Sequence, residues 1–193
     1  MAPRPEILLI AINARYTHCG MAGRSLMANL LELRSKACLL EFDLEILPLQ
    51  LVERILEHHP RIVAFSVYLW NRHLVAAAAQ LTRMLAPQSA IILGGPEIVH
   101  GIQSQWNGLA DALVVDEGET VFRDWCRRHL ARSDPPSRDS PDTIDAPPVP
   151  TEGLALPYDL YDPTDLKYRT LYVETARGCP FQCRYCCSRD SGW

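Results

Sequence analysis

Two hydrophobic periods alternate along the first two-thirds of the chain. Ile7-Leu8-Leu9-Ile10-Ala11-Ile12 is unbroken and apolar, as expected of a central parallel strand covered on both faces. Leu26, Leu30 and Leu33 then recur at helical spacing and predict a helix over 21–34. A second strand is expected over 39–47. There Phe42, Leu44 and Ile46 alternate with Glu41, Asp43 and Glu45, which marks an edge strand with one wetter face. Leu49, Val52 and Leu56 mark the next helix, which His58-His59-Pro60 closes. A strand over 62–67 leads to a helix over 71–85, with Leu74, Ala78, Leu81 and Leu85 in register. A strand over 90–93, a weak helical signal after Glu97 and a strand over 112–115 follow. The last helix of the series carries Phe122, Trp125 and His129 on one face.

Five βα units of this length predict an α/β domain over 1–131, a doubly wound parallel sheet in the flavodoxin-like order 2-1-3-4-5. From 132 to 168 the pattern stops. Eight of the fifteen prolines fall between 132 and 163, with Asp and Ser among them, so this stretch reads as a linker that cannot fold alone. Within it Leu154 to Tyr158 and Leu160-Tyr161 are apolar enough to dock on something. Residues 169–193 begin with an extended apolar run, a predicted strand over 171–175, and continue into a loop rich in cysteine.

Charge and composition narrow the function. The net charge of −4 gives no basic footprint for nucleic acid. No apolar run approaches the length of a membrane span. The N-terminal apolar run is short and lacks a small-residue cleavage site, so it reads as a buried strand and not as a signal peptide. Seven cysteines, three of them clustered, do not resemble a secreted disulfide framework; a reducing, cytoplasmic setting is expected.

The chemistry-bearing residues fall at the predicted carboxyl ends of the strands, where open α/β sheets bind ligands. Thr17 and His18 follow the first strand. Ser66, Tyr68 and Trp70 follow the third. Gly94, Gly95, Pro96 and Glu97 follow the fourth, and Glu117, Gly118 and Glu119 follow the fifth. Paired glycines let a backbone approach a bulky ligand, and also make a plain tight turn. Tyr68 and Trp70 serve equally as cover for the core or as a flat ligand surface. Glu117 and Glu119 also suit a helix N-terminus electrostatically. Cys179, Cys183 and Cys186 stand as CxxxCxxC directly after the last extended run. Zinc is the rival to a cluster at this spacing, but it wants four ligands, and Cys187 follows Cys186 too closely to be the fourth. Cys38 and Cys126 read as core residues.

The pieces FSVYLWN, GGPE, DEGE before a helix, and ETARGCPFQCRYC together resemble the N-terminal part of cobalamin-dependent radical S-adenosylmethionine enzymes. The resemblance covers nearly the whole chain and is loosest in the linker. It implies a cobalamin-binding domain over 1–131, with the strand-end residues above as cofactor contacts. It implies a 4Fe-4S cluster on Cys179, Cys183 and Cys186, with one iron open to S-adenosylmethionine. It places Tyr185 near the adenine. Cleavage of the sulfonium would release a 5′-deoxyadenosyl radical, commonly in the service of methyl transfer to an unactivated carbon. An electron donor such as flavodoxin or ferredoxin is implied as a partner. Two features depart from or limit this picture. Carriers with a histidine below cobalt use DxHxxG after the first strand, whereas here Tyr16 precedes His18 and Gly20 comes one place early. And a radical barrel needs roughly 200 residues, while the chain runs only seven residues past Cys186. A fragment, or a cobalamin-binding module without radical chemistry of its own, is therefore the alternative expectation. A flavodoxin-like domain for another nucleotide-like ligand is the third.

Overall fold

The strand Ile7–Asn13 (β1) is buried from Ile7 to Ile12 because it has neighbours on both edges and helices on both faces. The computed structural model describes residues 4–99, 103–132, 140–147, 149 and 151–177. Around β1 the described chain builds Ala37–Asp43 (β2), Ile62–Ser66 (β3), Ala90–Gly94 (β4), Ala112–Asp116 (β5) and Asp142–Ala146 (β6). All pairs are parallel, in the order β2-β1-β3-β4-β5-β6. The expected order is present, extended by one strand.

The helices are Met21–Ala28 (α1), Pro48–Leu56 (α2), Arg72–Leu85 (α3), Glu119–Leu130 (α4) and Pro163–Tyr168 (α5). Two apolar cores sandwich the sheet. Leu51, Val52 and Ile55 of α2 and Val75, Ala78 and Ala79 of α3 cover one face. Leu30 and Leu33, beyond α1, and Phe122, Trp125 and Cys126 of α4 cover the other.

Five local expectations change. The second strand spans Ala37–Asp43 rather than 39–47, because the chain turns at Leu44 and Glu45. Helix α1 ends at Ala28, well before 34. The Asn29 amide donates to the Ser25 carbonyl at 2.9 Å and to the Ala155 carbonyl at 3.0 Å, and Leu31 takes φ 49°, so the chain leaves the helical path and continues as a 3₁₀ turn, Leu31–Lys36. Helix α3 buries Val75, Ala78, Ala79 and Thr82, while Leu85 is exposed; small side chains suit the side packed against α2. The stretch read as linker supplies β6 and α5. In β6, Ile144 and Ala146 pack on the core while Thr143 and Asp145 face outward, the period-two pattern of an edge strand. A segment unable to fold alone still adds main-chain hydrogen bonds to an existing edge, and the prolines around it discourage further pairing. Finally, the predicted strand over 171–175 joins no ladder among the described residues. One isolated bridge, His18 to Thr170, precedes it, and Leu171, Tyr172 and Val173 are exposed.

Candidate functional site

Chain order reverses between β1 and β3, so their carboxyl ends form the switch-point crevice of the sheet. Asn71 stitches that crevice. It is wholly buried, and its amide donates to the Ile12 carbonyl at 3.1 Å and the Ser66 carbonyl at 3.0 Å. Its Oδ1 accepts from the Tyr68 amide at 2.8 Å. The indole of Trp70 also donates to the Ile12 carbonyl, at 3.2 Å. Tyr68 stacks on Trp70 with centroids 4.5 Å apart, and burial pushes the Tyr68 phenol pKa up. Trp70 remains 49% exposed and Leu69 70%, which leaves flat apolar surface at the edge.

The paired glycines divide in role. Gly95 has φ 109°, and a Cβ there would lie 2.6 Å from the Val67 carbonyl oxygen and 2.9 Å from its nitrogen. Its lack of a side chain is required by the β3 and β4 loops themselves, with no ligand involved. At Gly94 a Cβ would meet only ordinary contacts, the nearest Val114 at 3.6 Å. Packing does not demand glycine at the half-buried Gly94. Beside it the half-buried Ser66 hydroxyl has no hydrogen-bond partner among the described residues, and Pro96 is exposed. Glu97 pairs with Arg72 at 3.5 Å.

His18, Glu117 and Glu119, and the backbone of Thr17, meet the protein's own later segment. The Thr170 amide donates to the Thr17 carbonyl at 2.7 Å. The His18 ring stacks on Tyr172, and its Nδ1 shares a hydrogen bond with the Tyr172 hydroxyl. Glu117 accepts from the Val149 amide at 2.9 Å and, with Glu119, receives Arg177. Gly118 lets α4 start against α1, since a Cβ there would press on Leu26 at 3.3 Å. Cys179, Cys183, Tyr185 and Cys186 lie outside the described residues. Among the described residues no group of three or more His, Cys, Asp or Glu is arranged to hold a metal ion.

Four buried or half-buried charges that the sequence pattern did not single out fasten this segment down. Arg24 on α1 contacts Glu41 on β2 and Asp165 on α5, each at 2.6 Å. Arg169 contacts the same two carboxylates at 3.2 and 3.3 Å. Glu41 also accepts from the Gly20 amide at 2.6 Å and the Asn13 amide at 3.1 Å. Burial pushes the Glu41 pKa up, but the hydrogen bonds from Arg24, Gly20 and Asn13 outweigh it and hold the carboxyl below 4.5. Alternating charge along a strand looks like a solvated face. The arginine partners come from distant segments, so no local signal reveals the pairing.

Two concavities flank this network. One of about 230 Å³ lies between Asn13, Tyr16, Phe42 and Arg169, and another of about 470 Å³ lies between α1, β2 and α5. The first is smaller than usual pockets for drug-sized ligands, and the second sits on the flank, away from the strand ends.

Residues 9–125 match the B12 binding domain family. The chain is 29% identical, over 156 aligned residues, to a 2-(S-pantetheinyl)-carbapenam-3-carboxylate methyltransferase of Streptantibioticus cattleyicolor. It is 26% identical, again over 156 residues, to the cobalamin-dependent radical SAM methyltransferase TokK of Streptomyces tokunonensis. Each alignment covers 66% of this chain and 22% of the relative, so the chain spans about a fifth of the length of these curated proteins. Among solved structures, a cobalamin-binding protein from Desulfitobacterium hafniense aligns with TM-score 0.48 and 18% identity, over 66% of this chain and 59% of that one. No helix among the described residues is long and apolar enough to cross a membrane.

Proposed function

The chain belongs to the B12-binding domain family, and on that premise we propose that the open edge at the ends of β3 and β4 receives the corrin face of cobalamin, in the N-terminal part of a cobalamin-dependent radical S-adenosylmethionine methyltransferase. The observation that carries the placement is Gly94. It is a glycine that packing does not require, on the end of β4 beside Ser66 of β3, whose hydroxyl has no partner among the described residues, with the half-exposed Trp70 beyond it over the end of β1. These residues fit a large, partly planar ligand: Gly94 admits it, Ser66 offers it a hydroxyl, and Trp70 with Tyr68 gives it a flat apolar rest. Asn71 holds the β1 and β3 ends together beneath them. His18 is assigned to holding Tyr172, because its ring is stacked there and the DxHxxG pattern is missing.

Cys179, Cys183 and Cys186 are the proposed ligands of a 4Fe-4S cluster, and Tyr185 the proposed neighbour of the S-adenosylmethionine adenine. When bound, cobalamin supplies methyl carriage and the cluster with S-adenosylmethionine supplies radical generation; the protein's part is to place them and exclude water. The two curated relatives are methyltransferases and the chain spans 22% of each, so methyl transfer is a proposal that concerns the whole enzyme.

Titration with hydroxocobalamin, followed by its visible spectrum, tests the placement. Wild type is expected to saturate, and Gly94→Trp to lose binding while keeping its far-ultraviolet circular dichroism. Absence of a spectral change with wild type at high micromolar protein overturns it. Anaerobic reconstitution with iron and sulfide tests the cysteines: changing all three to alanine is expected to abolish the cluster absorbance.

A further inference from the structure

Arg177 lies beside the cysteine segment in sequence, with Gly178 alone between it and Cys179. Its guanidinium meets three carboxylates. Nη2 donates to Glu119 at 2.5 Å, Nε to Glu174 at 2.8 Å, and Nη1 lies 3.5 Å from Glu117. The Arg177 side chain is 14% exposed, and Glu119 and Glu117 are 7% and 18% exposed, so the contact is mostly shielded from water. Burial works against the arginine's charge, but Glu119 and Glu174 outweigh it. A carboxylate at a helix N-terminus answers the helix dipole by itself. Two carboxylates flanking Gly118 and converging on one guanidinium some sixty residues away do more than that. They make a rigid acidic fork on the β5–α4 turn, and the planar, multiply donating guanidinium suits it better than an ammonium does.

The preceding segment is anchored separately, by Thr170 on Thr17 and by the tyrosine hydroxyls. Tyr161 accepts from the Tyr172 amide and Tyr158 from the Glu174 amide, both at 3.2 Å. Loss of the fork therefore frees the end of the segment without unfolding the sheet.

We propose that Glu117 and Glu119 form a dock for Arg177 that sets where the cysteine segment begins relative to the carboxyl edge of the sheet. Arg177 is a positioning residue, and the proposal rests on the cluster reading of Cys179, Cys183 and Cys186 given above. The experiment compares the full chain with Arg177→Gln, Arg177→Glu and the swap Arg177→Glu/Glu119→Arg. Hydrogen exchange at the amide of Glu174, whose side chain holds Arg177, is expected to quicken about tenfold in both single variants, as for loss of a charge-assisted hydrogen bond, and to slow again in the swap, while the Tyr172 amide, held by Tyr161, keeps its exchange rate. The reconstituted cluster's visible absorbance is expected to decay faster in the same two variants, with hydroxocobalamin affinity unchanged. Unchanged exchange overturns the dock. Faster exchange with an unchanged cluster lifetime overturns its positioning role. If wild type assembles no cluster, the cysteine reading fails instead, and the exchange comparison still decides the dock.

Discussion

Glu41→Gln removes one charge from the ring formed by Arg24, Glu41, Arg169 and Asp165. In wild type two guanidiniums face two carboxylates, and the side chains of Arg24 and Asp165 are only 4% and 3% exposed. Glutamine keeps the volume but turns an NH₂ group toward donors, and two arginines are left sharing Asp165. Breaking a buried ion pair by removing one partner costs about 3–5 kcal/mol. Glu41 and Arg169 retain 11% and 15% exposure, so water relieves part of the charge, and about 3 kcal/mol is expected. With a urea slope of about 2 kcal/mol per molar, that lowers the unfolding midpoint by about 1.5 M. The assay is urea unfolding near neutral pH, followed by circular dichroism and tryptophan fluorescence. Asp165→Asn is the companion. Asp165 accepts fewer of the network's bonds than Glu41, which also holds the Gly20 and Asn13 amides, so its effect should be the smaller. The pH dependence carries a sign. Glu41 has a folded pKa below its ordinary value, so its contribution is fully present above about 4.5 and is lost as pH falls through the folded value. The gap between wild type and Glu41→Gln should therefore close in acid. A midpoint shift under about 0.3 M, a larger effect from Asp165→Asn, or a gap that persists in strong acid would refute the ring as a stabilising unit.

Two further outcomes are expected. Gly95→Ala should destabilise by about 2–4 kcal/mol, from the left-handed backbone and the collision with Val67, whereas Gly94→Ala should stay within about 0.5 kcal/mol; thermal melts of the pair check the asymmetry. His129 is buried against Trp125, and burial followed by Arg61 holds its pKa below 6.5. Its neutral form favours the folded state, so stability should fall as pH drops below about 6.5, and His129→Gln should flatten that slope in melts taken across the range.

Much of the fold was legible along the chain. The unbroken apolar run of β1, the 2-1-3-4-5 order and the Phe122, Trp125 and His129 face of α4 all follow from periods that neighbouring residues express together. The placement of the predicted residues after the strands was legible too, because an α/β sheet puts the loops after its strands on one edge. The misreadings have a common cause. β6 was hidden because Ile144 and Ala146 are a short alternation among prolines, and an edge strand takes its stability from the sheet it joins. Helix α1 was overextended because Asn29 is bonded to Ala155, 126 residues away.

The sequence by itself thus determined the βα order of the first five strands, the family and the residues expected at the carboxyl ends of those strands. Tertiary structure decided how those residues are shared out. Gly94 is not required by packing, Gly95 serves the backbone of Val67, and His18, Glu117 and Glu119 hold the segment that precedes the cysteines. Hydrophobic period is a property of neighbours in sequence, whereas the fate of a charge or a glycine depends on which distant atoms the fold brings within about 3 Å of it.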